Sequence, residues 1–390
     1  MPKKKVLISL DSLHDGGAEM FAIRLANQLA LTCDVYLMEF EAAASKEKKL
    51  LEKLNPSVPF FSPDKHWLLS SVLFLQNRLG SNHFILNIFF RLKLLLIKQF
   101  LWQHKIGVVN SHAIKQNYAF GLIKKKMPSL RFVLTLHGHY ELMKSENPVN
   151  FEKKIRQDVE IIDDLVYLSD EQLSNFKAAG FNGKRAVRIL NGFETEKSVS
   201  NSSIFKENPK ATLSLMIHSR AIPEKGWKEA IEAFFILIEK GYNVKLILVG
   251  DGVQYEYLKE LYRHPNLSFV GFSDNVFEYI KVADLGLLPS YFQGESLPNS
   301  IVEYLSFGIP VIASNIGAIA EMLTINNNLA GELIDTQKGV PVKSEVLSSL
   351  IEKYLVDPNY LPFKRKLAIQ AFEKFSMPIC VASYNAVLFK

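Results

Sequence analysis

The sequence predicts an α/β protein built from two doubly wound domains. Short β-branched runs alternate with helix-like stretches, the alternation occurs in both halves of the 390 residues, and one long polar stretch divides them. This alternation is the signature of parallel sheets covered by helices. In the first half, strands are expected at "KVLISL", "DVYLMEF", "IGVVNSH", "RFVLTLHG", "LVYLSD" and "AVRILNG". In the second they are expected at "TLSLMIHSR", "VKLILVGDG", "LSFVGF", "LGLLPSY" and "PVIASN". Stretches such as "GAEMFAIRLANQLA" and "WKEAIEAFFILIEKG" supply the covering helices. Apolar periodicity stops in "NGFETEKSVSNSSIFKENPKAT", residues 191–212, which separates a domain over 1–195 from one over 196–374. The last apolar helix, in "FSMPICVASYNAVLF", either packs on its own domain or crosses back; residues 375–390 are expected on the first.

Composition narrows the class. With 48% apolar and 22% charged residues there is material for packed cores and no case for disorder. Two cysteines, Cys33 and Cys380, exclude a disulfide framework and a Cys-rich zinc site, and fit a reducing compartment. The opening "MPKKKVLISLDS" has too few apolar residues for a signal-peptide core and reads as a first strand, so cytoplasm is the expected location. Lys and Arg exceed Asp and Glu by 28 to 20 over residues 1–200 and trail by 18 to 20 over 201–390. A basic first half suits an anionic partner, nucleic acid or acidic lipid, and equally suits solvated lysines. No interleaved aromatic and basic reader motif supports nucleic acid.

Ligands of doubly wound sheets sit at the carboxyl ends of strands, and with two such domains the cleft between them is the expected site. "HSRAIPEKGWKEAIEAF" places Arg220 and Lys225 in a loop between a strand and an amphipathic helix, where two cations can neutralise a phosphate. Taken alone, the pair also reads as exposed loop charges. "GESLP" precedes a helix beginning near Asn299, whose free N–H groups and dipole make an anion pocket. Glu295 stands just before that helix and Glu303 in its first turns, with seven residues between them. Two carboxylates flanking an anion pocket can accept hydrogen bonds from the vicinal hydroxyls of a ribose and a hexose. Ile301, Val302 and Leu305 indicate a mostly buried helix, in which Glu303 needs a partner.

These segments resemble glycosyltransferase family 4, retaining enzymes of the GT-B architecture. "SRAIPEKGW" resembles the family's Arg-x4-Lys-Gly phosphate motif. "LILVGDG", "FVGF", "VADLGLLPS" and "ESLPNSIVEYLSFGIPVIAS" follow in the family's order, the last with its Glu-x7-Glu pattern. The resemblance spans about residues 213–325. It implies donor binding by Arg220, Lys225, Gly250, Gly271, Phe272, Glu295, Ser296, Leu297, Pro298 and Glu303. Many relatives have Gly where this chain has Ser296, which keeps the N–H and adds a hydroxyl.

The first half resembles the family more loosely. "LDSLHDGGAEMFAIRLANQLA" supplies Gly16 and Gly17 after strand one, where the backbone must approach a donor phosphate or an acceptor. No third glycine completes a dinucleotide fingerprint, which disfavours a two-Rossmann oxidoreductase. "FVLTLHGHY" puts His137 at a strand end, where the family commonly has a His near the reacting sugar; its imidazole is expected to donate to a sugar hydroxyl or orient the acceptor. His112 and His139 are acceptor-side candidates that also read as structural. Asn191 and Gly192 read as turn residues.

The resemblance implies transfer of a sugar from a UDP- or GDP-sugar with retention. His137, Arg220, Lys225 and Glu295 are the expected catalytic set, and the leaving phosphate takes the acceptor's proton. No metal or other cofactor is expected, and the chain has no Asp-x-Asp pair. Residues 66–104 are apolar with scattered cations but too interrupted to span a bilayer. "FILNIFFRLKLLLIKQFLW", with Arg91, Lys93 and Lys98, and the cations of "LIKKKMP" make 84–128 a candidate contact with an anionic membrane, or else a cover for the first sheet. The acceptor would then be a lipid-linked saccharide or a lipopolysaccharide or capsule precursor at the inner face. The competing reading is a non-catalytic sugar-nucleotide-binding or partner subunit of the same fold.

Overall fold

A computed structural model describes residues 3–13, 17–42, 50–72, 83–137, 161–178, 181, 185–194 and 212–390. The chain divides into two compact units: Met1–Gly192 with Met377–Lys390, and Phe193–Ser376.

The first unit holds β1 (Lys5–Leu10), β2 (Asp34–Glu39), β3 (Phe60–Phe61), β4 (Val108–Ser111), β5 (Arg131–Thr135), β6 (Asp164–Tyr167) and β7 (Ala186–Arg188). They form one sheet in the order β3-β2-β1-β4-β5-β6-β7, and every pairing is parallel. Side chains of a strand alternate between faces. Val6 and Ile8 of β1 therefore join one apolar cluster and Leu7 joins the other. On the first face lie α1 (Gly17–Leu29) and the last helix, Met377–Leu388, whose Cys380, Tyr384, Val387 and Leu388 share the cluster with Phe21 and Leu25 of α1. On the other lie α2 (His83–Gln103), α3 (Asn117–Lys126) and α4 (Asp170–Ala178), through residues such as Ile97, Leu101, Phe120 and Phe176.

One expectation about α2 is corrected here. Lys93 was placed among the cations of an interfacial face, but its ammonium is buried, 2.7 Å from Asp64 and 2.9 Å from the Phe40 carbonyl. The helix meets the core along Lys93, Leu96, Ile97 and Leu101, and an ammonium can lie on that face only because Asp64 compensates it. The opposite face carries Ile88, Arg91, Leu95, Lys98 and Trp102 at spacings of three and four, all exposed.

The second unit repeats the pattern with β8 (Leu213–His218), β9 (Val244–Val249), β10 (Leu267–Gly271), β11 (Leu285–Leu288), β12 (Val311–Ser314) and β15 (Gly331–Ile334), all parallel, in the order β10-β9-β8-β11-β12-β15. A two-stranded hairpin, β13 (Thr324–Ile325) and β14 (Asn328–Leu329), precedes β15. The helices are α5 (Trp227–Glu239), α6 (Tyr255–Leu261), α7 (Phe277–Ile280), α8 (Asn299–Ser306), α9 (Ile319–Leu323), α10 (Ser344–Val356) and α11 (Tyr360–Phe372). Trp227, Phe234 and Leu237 of α5 pack with Leu215, Leu246 and Leu285 of the strands and Leu347 of α10. In both sheets the order reverses beside the first strand, between β1 and β4 and between β8 and β11. Such a switch point opens a crevice at the carboxyl ends of the strands.

Candidate functional site

In the second unit the loops after β8, β9, β11 and β12 are locked together at that crevice. Gly226, left-handed at φ 73°, ends the 3-10 turn Pro223–Lys225 and starts α5; a Cβ there would stand 2.3 Å from the Pro289 carbonyl oxygen. Gly250, at φ 138°, has the Ser219 carbonyl 1.9 Å from where a Cβ would lie. Only glycine permits both the backbone angle and the approach. Gly317, at φ 59°, lies against the carbonyls of Glu295 and Ser296, and Ala318 N–H donates to the Ser296 carbonyl at 2.8 Å.

This frame places the predicted charges. Lys225 Nζ lies 2.6 Å from Glu295 Oε2, with the glutamate buried and the lysine side chain only 11% exposed. The Ser290 hydroxyl donates to the same oxygen at 2.7 Å. Phe292, on the same loop as Glu295, lies beneath both cations: its ring centre is 5.2 Å from Lys225 Nζ and 5.9 Å from the Arg220 guanidinium carbon. A ring face attracts a cation at such distances. The lysine is thus held at the crevice by a carboxylate and a ring, and the exposed Arg220 stands beside it.

Ser296, Leu297 and Pro298 are buried and lead directly into α8. Pro298 occupies the cap position with no side-chain oxygen to offer, so no side chain caps the helix. An uncapped start presents N–H groups and the positive end of the dipole. The Ser296 hydroxyl oxygen is buried without a partner among the described residues.

Glu303 has a neighbour that sequence reasoning missed. His218, the last residue of β8, brings Nε2 to 3.3 Å from Glu303 Oε2, though out of line for a hydrogen bond. Burial holds the His218 pKa down at about 4, against a backbone hydrogen bond with Ser300, so the ring is neutral at pH 7. The available signal was its position, a polar residue ending a parallel strand, as for His137. The ring also packs edge-on against Tyr304, whose hydroxyl donates to the Met216 carbonyl at 3.0 Å. Gly271, at φ 83°, ends β10 and the 70% exposed Phe272 follows it, one strand beyond Gly250, whose N–H donates to the Gly271 carbonyl at 2.8 Å.

The first unit gathers its candidates at its own switch point. Gly17 is the exposed first residue of α1, directly after the β1 loop. His112 follows β4 and His137 follows β5; His112 Nδ1 and His137 Nε2 are 2.7 Å apart. Burial drives both pKa values down, that of His137 to about 4 and that of His112 well below the ordinary range, with His137 adding to the effect. Phe21 of α1 packs on both rings. Gly16 and His139 lie outside the described residues, as do residues 195–211 of the expected linker.

Residues 213–347 match the family model described as glycosyl transferases group 1. Protein CapJ of Staphylococcus aureus is 26% identical over 209 residues, 52% of this chain and 50% of that protein. The poly(glycerol-phosphate) alpha-glucosyltransferase of Bacillus subtilis (strain 168) is 24% identical over 269 residues, 68% of this chain and 38% of the enzyme. The match thus spans half or less of each of these relatives. Among solved structures, Anabaena HepE in complex with UDP superposes with a TM-score of 0.74 at 21% identity, covering 98% of this chain and 99% of that one. The likeness to HepE shows a GT-B fold with two Rossmann-like units, and residues 213–347 are similar to group 1 glycosyltransferases.

Proposed function

We propose that this chain is a retaining, metal-independent glycosyltransferase of family 4. It would transfer a hexosyl group from a UDP- or GDP-sugar to a saccharide acceptor, a lipid-linked glycan or a lipopolysaccharide or capsule precursor. The observation that carries the reading is the arrangement of Arg220, Lys225 and the uncapped start of α8 at one switch point, with Glu295 and Glu303 on either side. The similarity to a poly(glycerol-phosphate) alpha-glucosyltransferase, and the UDP bound by HepE, support the substrate class.

The hard part of the reaction is the negative charge that arrives on the leaving diphosphate. Arg220, Lys225 and the α8 N–H groups stabilise it in place, which is why no metal is required in this proposal. Glu303, held beside His218, takes the ribose hydroxyls. Glu295 orients Lys225 and takes donor-sugar hydroxyls. The diphosphate oxygen collects the acceptor's proton, so no separate base is assigned. The first unit then serves as the acceptor side and the second as the donor side, and donor binding extends to Gly16, Gly17, Gly250, Gly271, Phe272, Ser296, Leu297 and Pro298.

Calorimetric titration with UDP and GDP tests the donor site. One of them binds the wild type, and Lys225→Ala and Glu303→Ala weaken it; wild-type affinity and turnover in both variants would end the proposal. Activity unchanged by chelator is expected throughout.

No helix among the described residues is long and apolar enough to cross a membrane. The exposed stripe on α2, where Leu95, 57% exposed, and Trp102, 75% exposed, alternate with Arg91 and Lys98, supports peripheral contact with the anionic inner face of the cell membrane. Flotation with anionic liposomes at low salt is expected, and Trp102→Ala with Leu95→Ala should abolish it. Absence of wild-type flotation would remove the membrane from the proposal.

A further inference from the structure

The histidine pair of the first unit carries an inference about proton placement. The Val133 carbonyl can only accept, so the Asn110 atom 3.3 Å from it is the amide nitrogen, and the same NH2 group reaches Thr135 Oγ1 at 2.9 Å. Asn110 Oδ1 is thereby turned to His112 Nε2, 3.0 Å away. That oxygen can only accept, so His112 carries its proton on Nε2. His112 is neutral because burial disfavours the charged ring. Its Nδ1 is therefore a bare lone pair, and His137 Nε2 at 2.7 Å must donate to it. A neutral His137 with a proton on Nε2 has none on Nδ1. That nitrogen is buried and has no partner among the described residues.

We propose that Asn110 and His112 are positioning residues that fix His137 in the Nε2–H tautomer, so that its Nδ1 can only accept a hydrogen bond from a ligand hydroxyl. The expectation that His137 donates to a sugar hydroxyl is thereby reversed. The identity of the ligand as a sugar rests on the proposed glycosyl transfer; the placement of the protons does not. Phe21 against both rings, and the near-parallel imidazoles with centroids 4.9 Å apart, keep either ring from turning its other edge inward. A bare acceptor in a closed place discriminates. A hydroxyl satisfies it, whereas an ether, a carbonyl or a missing oxygen leaves it unpaired. Sites of this kind reject the analogue lacking the hydroxyl by large factors.

Long-range proton–nitrogen correlation spectra of the 15N-labelled full chain, recorded without ligand near pH 7, report which ring nitrogen carries hydrogen. His112 and His137 are both expected as Nε2–H tautomers. A proton on His137 Nδ1, or a doubly protonated ring, overturns the proposal. Asn110→Leu removes the acceptor that orients His112, so both rings should shift toward mixed tautomers. In the same variant kcat should fall about a hundredfold while UDP or GDP affinity holds. An Asn110→Leu protein that folds with His137 unchanged overturns the relay; should that variant not fold, the wild-type tautomers still decide. If no nucleotide sugar is turned over but the tautomers stand as assigned, the reaction has been misread and the relay remains. With turnover established, donor or acceptor analogues deoxygenated at single positions should show one position that loses about a hundredfold or more in kcat/KM.

Discussion

Lys225 and Glu295 face each other at 2.6 Å with side chains 11% and 7% exposed, and such an enclosed pair responds differently to single and double substitution. Lys225→Met strands a buried carboxylate whose other partner among the described residues is the Ser290 hydroxyl, which should cost about 3–5 kcal/mol. Lys225→Met combined with Glu295→Gln removes both charges, and most of that loss should return. Nucleotide affinity should not return, because in the proposed site the ammonium serves the diphosphate as well as Glu295. Urea unfolding and UDP titration on the same three proteins separate the two roles; affinity recovered along with stability would show that Lys225 is structural only. The sequence exposed this pair through spacing and loop position. It concealed Phe292 and His218, because each acts on a partner brought close only by the fold: His218 at the end of β8 meets Glu303 of α8, eighty-five positions along the chain. Ser290, five residues before Glu295 on the same loop, carried no pattern that marked it.

At the scale of elements, α8 shows how a strand glycine serves a site it does not touch. Gly286 lies inside β11, where glycine ordinarily weakens a strand. A Cβ there would stand 2.6 Å from the Tyr304 ring, so the missing side chain lets α8 settle against the sheet with Tyr304 fully buried. That seating sets the height of Glu303 and of the uncapped helix start. Gly286→Ala should therefore cost about 1–3 kcal/mol through overpacking and weaken nucleotide binding as well, although the residue reaches no ligand. Denaturant midpoints and titrations measured together would show the coupling, and unchanged affinity would break it. The same register logic explains what was readable. Strands buried on both faces, such as β1, β5 and β11, read as nearly continuous apolar runs, and α8 begins at Asn299 as its loop proline foretold. β3 was missed because it has two residues, and β15 because its Glu332 looks like a surface residue. That carboxylate is buried among Lys353 at 3.0 Å, Lys364 at 2.9 Å and the Tyr360 hydroxyl at 2.5 Å, partners that no local pattern announces.

For the molecule as a whole, buried imidazoles set the response to acid, and they are unevenly shared. Among the described residues with depressed imidazole pKa values, the first unit holds His112 and His137 and the second holds His218. Unfolded, each would titrate near 6.5. Folded, His137 and His218 titrate at about 4 because burial disfavours the charged ring. Between those values the unfolded chain binds more protons than the folded one, so stability rises with pH. The contribution is complete above about pH 6.5 and is lost as pH falls toward 4, by up to about 3 kcal/mol for each of these two rings. Glu332 loses its contribution in a more acid window: burial raises its pKa, but hydrogen bonds from Tyr360, Lys364 and Lys353 outweigh that and hold it below the ordinary value. As pH falls from 7 to 5, then, the proton uptake on opening rises toward two in the first unit and toward one in the second. Amide exchange corrected for its intrinsic pH dependence should show protection in β4 and β5 falling about twice as steeply as in β8 and β11. His137→Phe should flatten the first slope without changing the second. Equal slopes in the wild type would mean that His112 and His137 are not both neutral in the folded chain, and the proton placement inferred for His137 would lose its basis.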